Sequence, residues 1–305
     1  MKRKLVKQGN SALTITLPIS WVKKYCLQAG AEINAEERGK DLLISVDKEF
    51  ITDKVSYDIS NLDERTVRWL LSSLHKAGYD EIEVHYKDAR IFSVINELLK
   101  DLFIGFAIVE QSQKRLVLKS ISKDMPEEFD HTLKRAFLVT LSMGDSLLDY
   151  MKQGRFADMG ELISLEHTNN QLTNFCERSL NKFGYKEFRK NHFMYVIAWN
   201  LEKVCDEYKY MCDYLSEKHN VKVGKEILTM VENSNSFLKG YFDLFYSFDT
   251  AKLNILHNQR KELEKEIIGR LKKFNQDELV IANHLLTFIR CIADFSASTI
   301  AIHTL

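Results

Sequence analysis

Six basic residues, Lys2, Arg3, Lys4, Lys7, Lys23 and Lys24, precede the first acid, Glu32, in a chain of 305 residues whose 43 Lys and Arg balance 43 Asp and Glu. Cations gathered at one end of a neutral chain make a field that attracts polyanions, and the chemistry they offer is phosphate binding. Double-stranded DNA is the ligand expected of such a face, because backbone phosphates supply most of the sequence-independent affinity.

The elements that must hold these cations are short. Residues 4–7 and 13–17 alternate apolar and polar, the period of a strand with one buried face. Pro18 suits the first turn of a helix over 19–25, in which Ile19, Trp21 and Val22 are available for burial. Gly30 marks the exit, and strands around Ile33 and over 42–46 flank a hairpin turn, Glu37-Arg38-Gly39-Lys40-Asp41. A segment of this size lies near the lower limit for independent stability, and a second copy interleaving its strands is the natural remedy.

The stretch Arg3-Lys4-Leu5-Val6-Lys7-Gln8-Gly9-Asn10-Ser11, then Leu13-Thr14-Ile15-Thr16-Leu17-Pro18, Trp21-Val22-Lys23-Lys24-Tyr25 and Leu27-Gln28-Ala29-Gly30, resembles the AbrB/MazE (SpoVT-AbrB) family of swapped-hairpin DNA-binding domains. The resemblance implies a homodimer with a swapped-hairpin β-barrel whose first strands and loops lie on the duplex. Lys2, Arg3, Lys4 and Lys7 would then meet phosphates or base edges, and Gln8, Asn10 and Ser11 would add neutral donors. Cys26 stands where that family commonly has glycine, and Ala31 where it has an acid. Two other readings stay open: an edge strand that uses lysines against aggregation, and a dimer that binds a toxin.

Residues 51–123 predict a small α/β connector. Strands are expected over 55–59 and 82–86, helices over 63–76 and 89–102, and further strands over 107–110 and 116–121. Asp63 fits an N-cap, Thr66, Leu70 and Leu74 fall on one face, and Gly78 closes the helix. His75 and His85 have no evident catalytic partner and read as core or surface histidines.

Only Pro18 and Pro126 occur in the chain, so nothing after Pro126 breaks helices in the usual way. Six helices are expected, over 126–152, 156–182, 187–218, 224–247, 249–273 and 277–304. The third carries a seam of Ile197, Leu201, Val204, Tyr208, Met211 and Leu215, and the sixth one of Leu279, Ala282, Leu286, Ile289 and Ala293. Helices one to three and four to six overlay at an offset of about 90 residues, which suggests a duplication with repeats 126–219 and 222–305. On this pattern residues 124–305 resemble the PhoU family, and the resemblance implies a pair of three-helix bundles.

That family resemblance implies two acidic signatures per repeat, here Glu166-His167-Thr168-Asn169-Asn170 and Glu202-Lys203-Val204-Cys205-Asp206. A spacing of four puts Glu166 with Asn170, and Glu202 with Asp206, on single helix faces, where oxygens from two helices could close on a divalent or iron-type metal ion. An exposed acidic face is the competing reading. In the second repeat Arg260 and Arg290 lead the signatures, which predicts no metal and a crossed cluster, Arg260 with Asp294 and Arg290 with Glu264.

Five scattered cysteines without CxxC spacing predict buried thiols rather than a zinc site or disulfides. No apolar run of membrane-spanning length or export signal is read, so a cytoplasmic protein without membrane insertion is expected. No Walker A, GxSxG or HExxH pattern occurs, and catalysis is not expected.

The parts together predict a multidomain chain, divided 1–50, 51–123 and 124–305. Resemblance to both families implies a DNA-binding transcriptional regulator of phosphate uptake, of the kind found in archaea, whose helical half senses a signal or contacts phosphate-transporter or signalling proteins. A metal-binding scaffold that never touches DNA is the second expectation. A carboxylate-bridged metalloenzyme is a weaker third, since paired Glu-x-x-His motifs are missing.

Overall fold

The computed structural model describes residues 2–9, 11–46, 53–88, 90–122, 126–218 and 221–305. They fall into two compact units, 1–53 and 54–305. The expected boundaries at 50 and 123, and the end of the first repeat at 219, lie outside the described residues.

The first unit holds two separate antiparallel hairpins. β1 (Val6–Gln8) pairs with β2 (Ala12–Thr14), Lys7 opposite Leu13. β3 (Asn34–Arg38) pairs with β4 (Asp41–Ser45) across Gly39 and Lys40, and Gly39 takes the positive φ of +65° that a tight turn needs. Between them α1 (Ile19–Lys24) starts after Pro18. It ends in a Schellman-type cap, with Cys26 N–H donating to Lys23 O at 3.2 Å and Leu27 N–H to Val22 O at 3.0 Å. Apolar side chains in this unit stay outside any core: Leu5 is 63%, Leu13 65% and Ile19 66% exposed, and none of its described residues is buried.

The second unit opens with an α/β layer. β5 (Lys54–Asp58), α2 (Glu64–Lys76) and β6 (Glu81–His85) form a parallel crossover. α3 (Ile91–Asp101), β7 (Phe106–Gln111) and β8 (Arg115–Ser120) follow, giving a sheet of order β5-β6-β8-β7. Asp63 caps α2 as expected, accepting from Thr66 N–H at 2.8 Å. The buried face of α2 is Val67, Leu71, Leu74 and His75, whereas Thr66 and Leu70 are only half-buried. α2 meets both α3 and the helical bundle, so its apolar arc is wider than one stripe and its centre is offset from the expected one.

The helical part comprises α4 (Phe129–Gln153), α5 (Ile163–Phe183), α6 (Asn191–Ser216), α7 (Lys225–Tyr246), α8 (Thr250–Arg270) and α9 (Gln276–Thr304). All six expected helices are present; the first three begin later than expected, because Pro126–Glu128, Phe156–Leu162 and Phe188–Lys190 wind as 3-10 turns before α4, α5 and α6. α4, α5 and α6 pack together, as do α7, α8 and α9. The two groups join through α6 against α9 and α4 against α7 around one shared core.

The expected seam of α6 is entirely buried. That of α9 is displaced: Ala282 and Ile289 are buried, but Leu279 is 40% exposed, and the centre runs through Ile281, Leu285, Phe288, Ile292 and Phe295. α9 touches α6, α7 and α8, and a helix apolar around most of its circumference gives periodicity little to fix its centre. By length and composition α9 is also apolar enough to cross a membrane, yet its apolar residues serve the bundle core.

Candidate functional site

Two groups of side chains stand out. The first is the basic N-terminal hairpin. Lys2, Arg3, Lys4, Lys7, Gln8 and Ser11 are all exposed, with Lys7 and Gln8 on β1 and Ser11 in the link to β2; Asn10 lies outside the described residues. The sequence from residue 2 to 46 carries eight Lys and Arg against four Asp and Glu.

The second group is a ladder of carboxylates and ammoniums where α5 and α6 meet α2. Glu166 on α5 is 1% exposed, and its Oε1 accepts from Lys209 Nζ at 2.9 Å and from Asn170 Nδ2 at 2.8 Å. Lys203 on α6 bridges Glu202 at 3.2 Å and Asp206 at 3.1 Å. Lys76, from the end of α2, reaches Glu202 at 3.3 Å and the fully buried Glu177 at 3.0 Å. Tyr195 donates to the same Glu177 oxygen at 3.0 Å.

Burial raises the Asp206 carboxyl above the usual aspartate range, against the pull of Lys203, and burial likewise raises that of Glu177. Burial pulls the Lys203 and Lys209 ammoniums down, but their carboxylate partners outweigh it and hold both above the ordinary lysine value. Both lysines are therefore charged at neutral pH.

These contacts bear on the expected metal ligands Glu166, Asn170, Glu202 and Asp206. The four side chains do lie on α5 and α6 as pairs, but each pair is closed by a lysine. A metal ion would have to displace Lys209 from Glu166 and Lys203 from Glu202 and Asp206. Glu166 Oε2, with His167 Nε2 3.7 Å away, and Asn170 Oδ1 are both buried without a hydrogen-bond partner, so the α5 pair keeps two free oxygens. Among the described residues no group of three or more His, Cys, Asp or Glu is placed to hold a metal. As arranged, one oxygen each of Glu166, Glu202 and Asp206 already accepts from a lysine ammonium. In the second repeat Arg290 Nε meets Glu264 at 3.2 Å, as expected, while Arg260 turns to Glu264 at 3.5 Å instead of Asp294, because that carboxylate lies one turn along its own helix.

Sequence reasoning passed over the joint between layer and bundle. Arg178 on α5 is 2% exposed and donates to His75 O at 3.1 Å, Tyr79 O at 2.7 Å and Asp80 Oδ1 at 2.8 Å. Lys182 pairs with the same Asp80, and Asn181 donates to Lys76 O at 2.9 Å. Gly78 sits beneath them at φ +99°, where a Cβ would come within 3.0 Å of Lys182 Cβ. The signal available in the sequence was the i,i+4 pair Arg178 and Lys182 on a helix otherwise read for its acids. Of the five cysteines, Cys176, Cys205 and Cys212 are buried as expected, whereas Cys26 is exposed and Cys291 half-buried. Cys26 lies in a unit with no buried residue among those described, which is why its thiol faces solvent.

The features define a class: a two-unit protein with a basic hairpin segment and a six-helix body carrying an α/β layer. No family model matches the chain, and comparison with curated proteins gives no match. Among solved structures it is similar to the phosphate transport system regulatory protein PhoU from Streptococcus pneumoniae, at 16% identity and a TM-score of 0.41 over 59% of this chain and 95% of that one.

Proposed function

We propose that this chain is a dimeric DNA-binding regulator of phosphate uptake or homeostasis, acting in the cytoplasm, with its helical half as the sensing or partner-binding part. The observation that carries the reading is the state of the N-terminal unit. It displays a basic strand beside exposed Leu5, Val6, Leu13 and Ile15, and none of its described residues is buried. Apolar side chains at that exposure call for a covering surface. A second copy of the same hairpins supplies one and doubles the basic face. The link to phosphate rests on the residue resemblance of the helical repeats, and the partners on that side would be phosphate-transport or signalling proteins.

The test is a duplex titration with the full chain across salt concentrations, paired with its mass by sedimentation. A dimer making about six phosphate contacts gives a slope of log affinity against log salt near −5, and Arg3→Ala with Lys4→Ala, removing four contacts per dimer, brings it to about −2. A dimer that binds no duplex even at low salt would instead favour a scaffold whose N-terminal unit only dimerises.

A further inference from the structure

Between α7, α8 and α9 lies a cavity of about 280 Å³ walled by Phe237, Leu256 and Ile292. It exists because Ala293 and Ser296 on α9 present short side chains toward α8, and α8 itself buries only Leu256, Leu263 and Ile267. The space opens to solvent past the exposed Asn254, His257 and Ile300, and its largely apolar walls give water few partners.

At one side of this space stands Arg260. Its Nε is buried and has no hydrogen-bond partner among the described residues. Its Nη2 reaches Glu264 at 3.5 Å, a carboxylate that Arg290 also holds at 3.2 Å, so two guanidiniums share one negative charge. The surplus positive charge and the unmet donor sit together at the edge of an apolar hole.

We propose that this cavity binds a small amphipathic carboxylate, with its apolar chain between α7 and α9 and its carboxylate on Arg260. The inference stands apart from the DNA-binding reading and from the acidic ladder of the other bundle. Specificity follows from charge: an anion both accepts from the unmet Nε–H and offsets the positive charge that Arg260 and Arg290 leave beside Glu264, whereas a neutral head group can only accept the hydrogen bond.

Calorimetric titration of the full chain with octanoate, octanol and acetate tests it. Octanoate is expected to saturate at one per chain. Octanol should bind about tenfold more weakly, the loss that accompanies a charge-assisted hydrogen bond, and acetate, lacking the chain, should give no signal. Arg260→Met should bring octanoate to the level of octanol and leave octanol unchanged, and Ala293→Leu with Ser296→Leu should remove binding of both. Should the filled variant fail to fold, Arg260→Met decides alone, because Arg260 is half-exposed and its replacement leaves the core intact. Non-saturable octanoate binding, equal affinity for octanol, or full octanoate affinity in Arg260→Met would overturn the proposal.

Discussion

Cys26 is the one non-glycine residue among those described with a positive φ, at +51°. Its backbone closes α1 by the same two hydrogen bonds a glycine would make, so the reversal expected from the resemblance occurs despite the substitution. Left-handed backbone costs an L residue roughly 1–2 kcal/mol. Cys26→Gly is therefore expected to raise the stability of the N-terminal unit by about 1 kcal/mol after the entropy of glycine is counted, measured by denaturant unfolding.

His75 offers a second test at this scale. Its ring stacks on Phe103 at 4.5 Å with both nitrogens unpartnered, and burial, with Arg178 and Lys76 nearby, holds its pKa well below 6.5. The unfolded chain then binds a proton that the folded one refuses. Stability falls as pH drops below about 6.5, by at most about 1.4 kcal/mol per pH unit. Glu177 and Asp206, whose carboxyls burial raises, tilt the acid end of the profile the other way. The difference between wild type and His75→Phe isolates the histidine, and parallel profiles would refute its role.

Elements show where sequence was a good guide and where it was not. Asp63, Gly39 and the seam of α6 act through neighbours within a turn or along one helix, and each was legible. The acidic pairs of α5 and α6 were legible too, by their spacing of four. The lysines that answer them were not: Lys76 is more than a hundred residues away in sequence from Glu202, and an unaided Lys203 or Lys209 reads as a solvated surface residue. The same limit hid Arg178. Replacing that guanidinium with Ala leaves Asp80 and two carbonyls short of a donor, and is expected to cost about 3–5 kcal/mol, read as a lowered midpoint for the unit spanning 54–305. A tighter constraint sits at Gly144 in α4, where an added Cβ would lie 2.5 Å from Tyr208 Oη and 3.0 Å from Asn235 Oδ1. Gly144→Ala is expected to destabilise the bundle by about 1–3 kcal/mol through overpacking, visible as a fall in melting temperature.

On the scale of the whole chain, the two units differ in what holds them. Among the described residues every buried hydrophobic side chain belongs to residues 54–305. A chain lacking residues 1–53 is expected to keep its helical signal and melting temperature, while losing any dependence of its mass on concentration. Loss of the helical signal on truncation would show that the first unit contributes to the fold of the second.

The core shared by α6 and α9 has a consequence for anyone dividing this molecule. Each helical triplet presents oily side chains to the other, the ring centres of Tyr208 and Phe288 lying 4.7 Å apart across the divide. A gene cut between the triplets yields two fragments that clump or seek each other, never two well-behaved half-proteins. If the triplets did arise by copying, their single-triplet forerunner had to live as a pair.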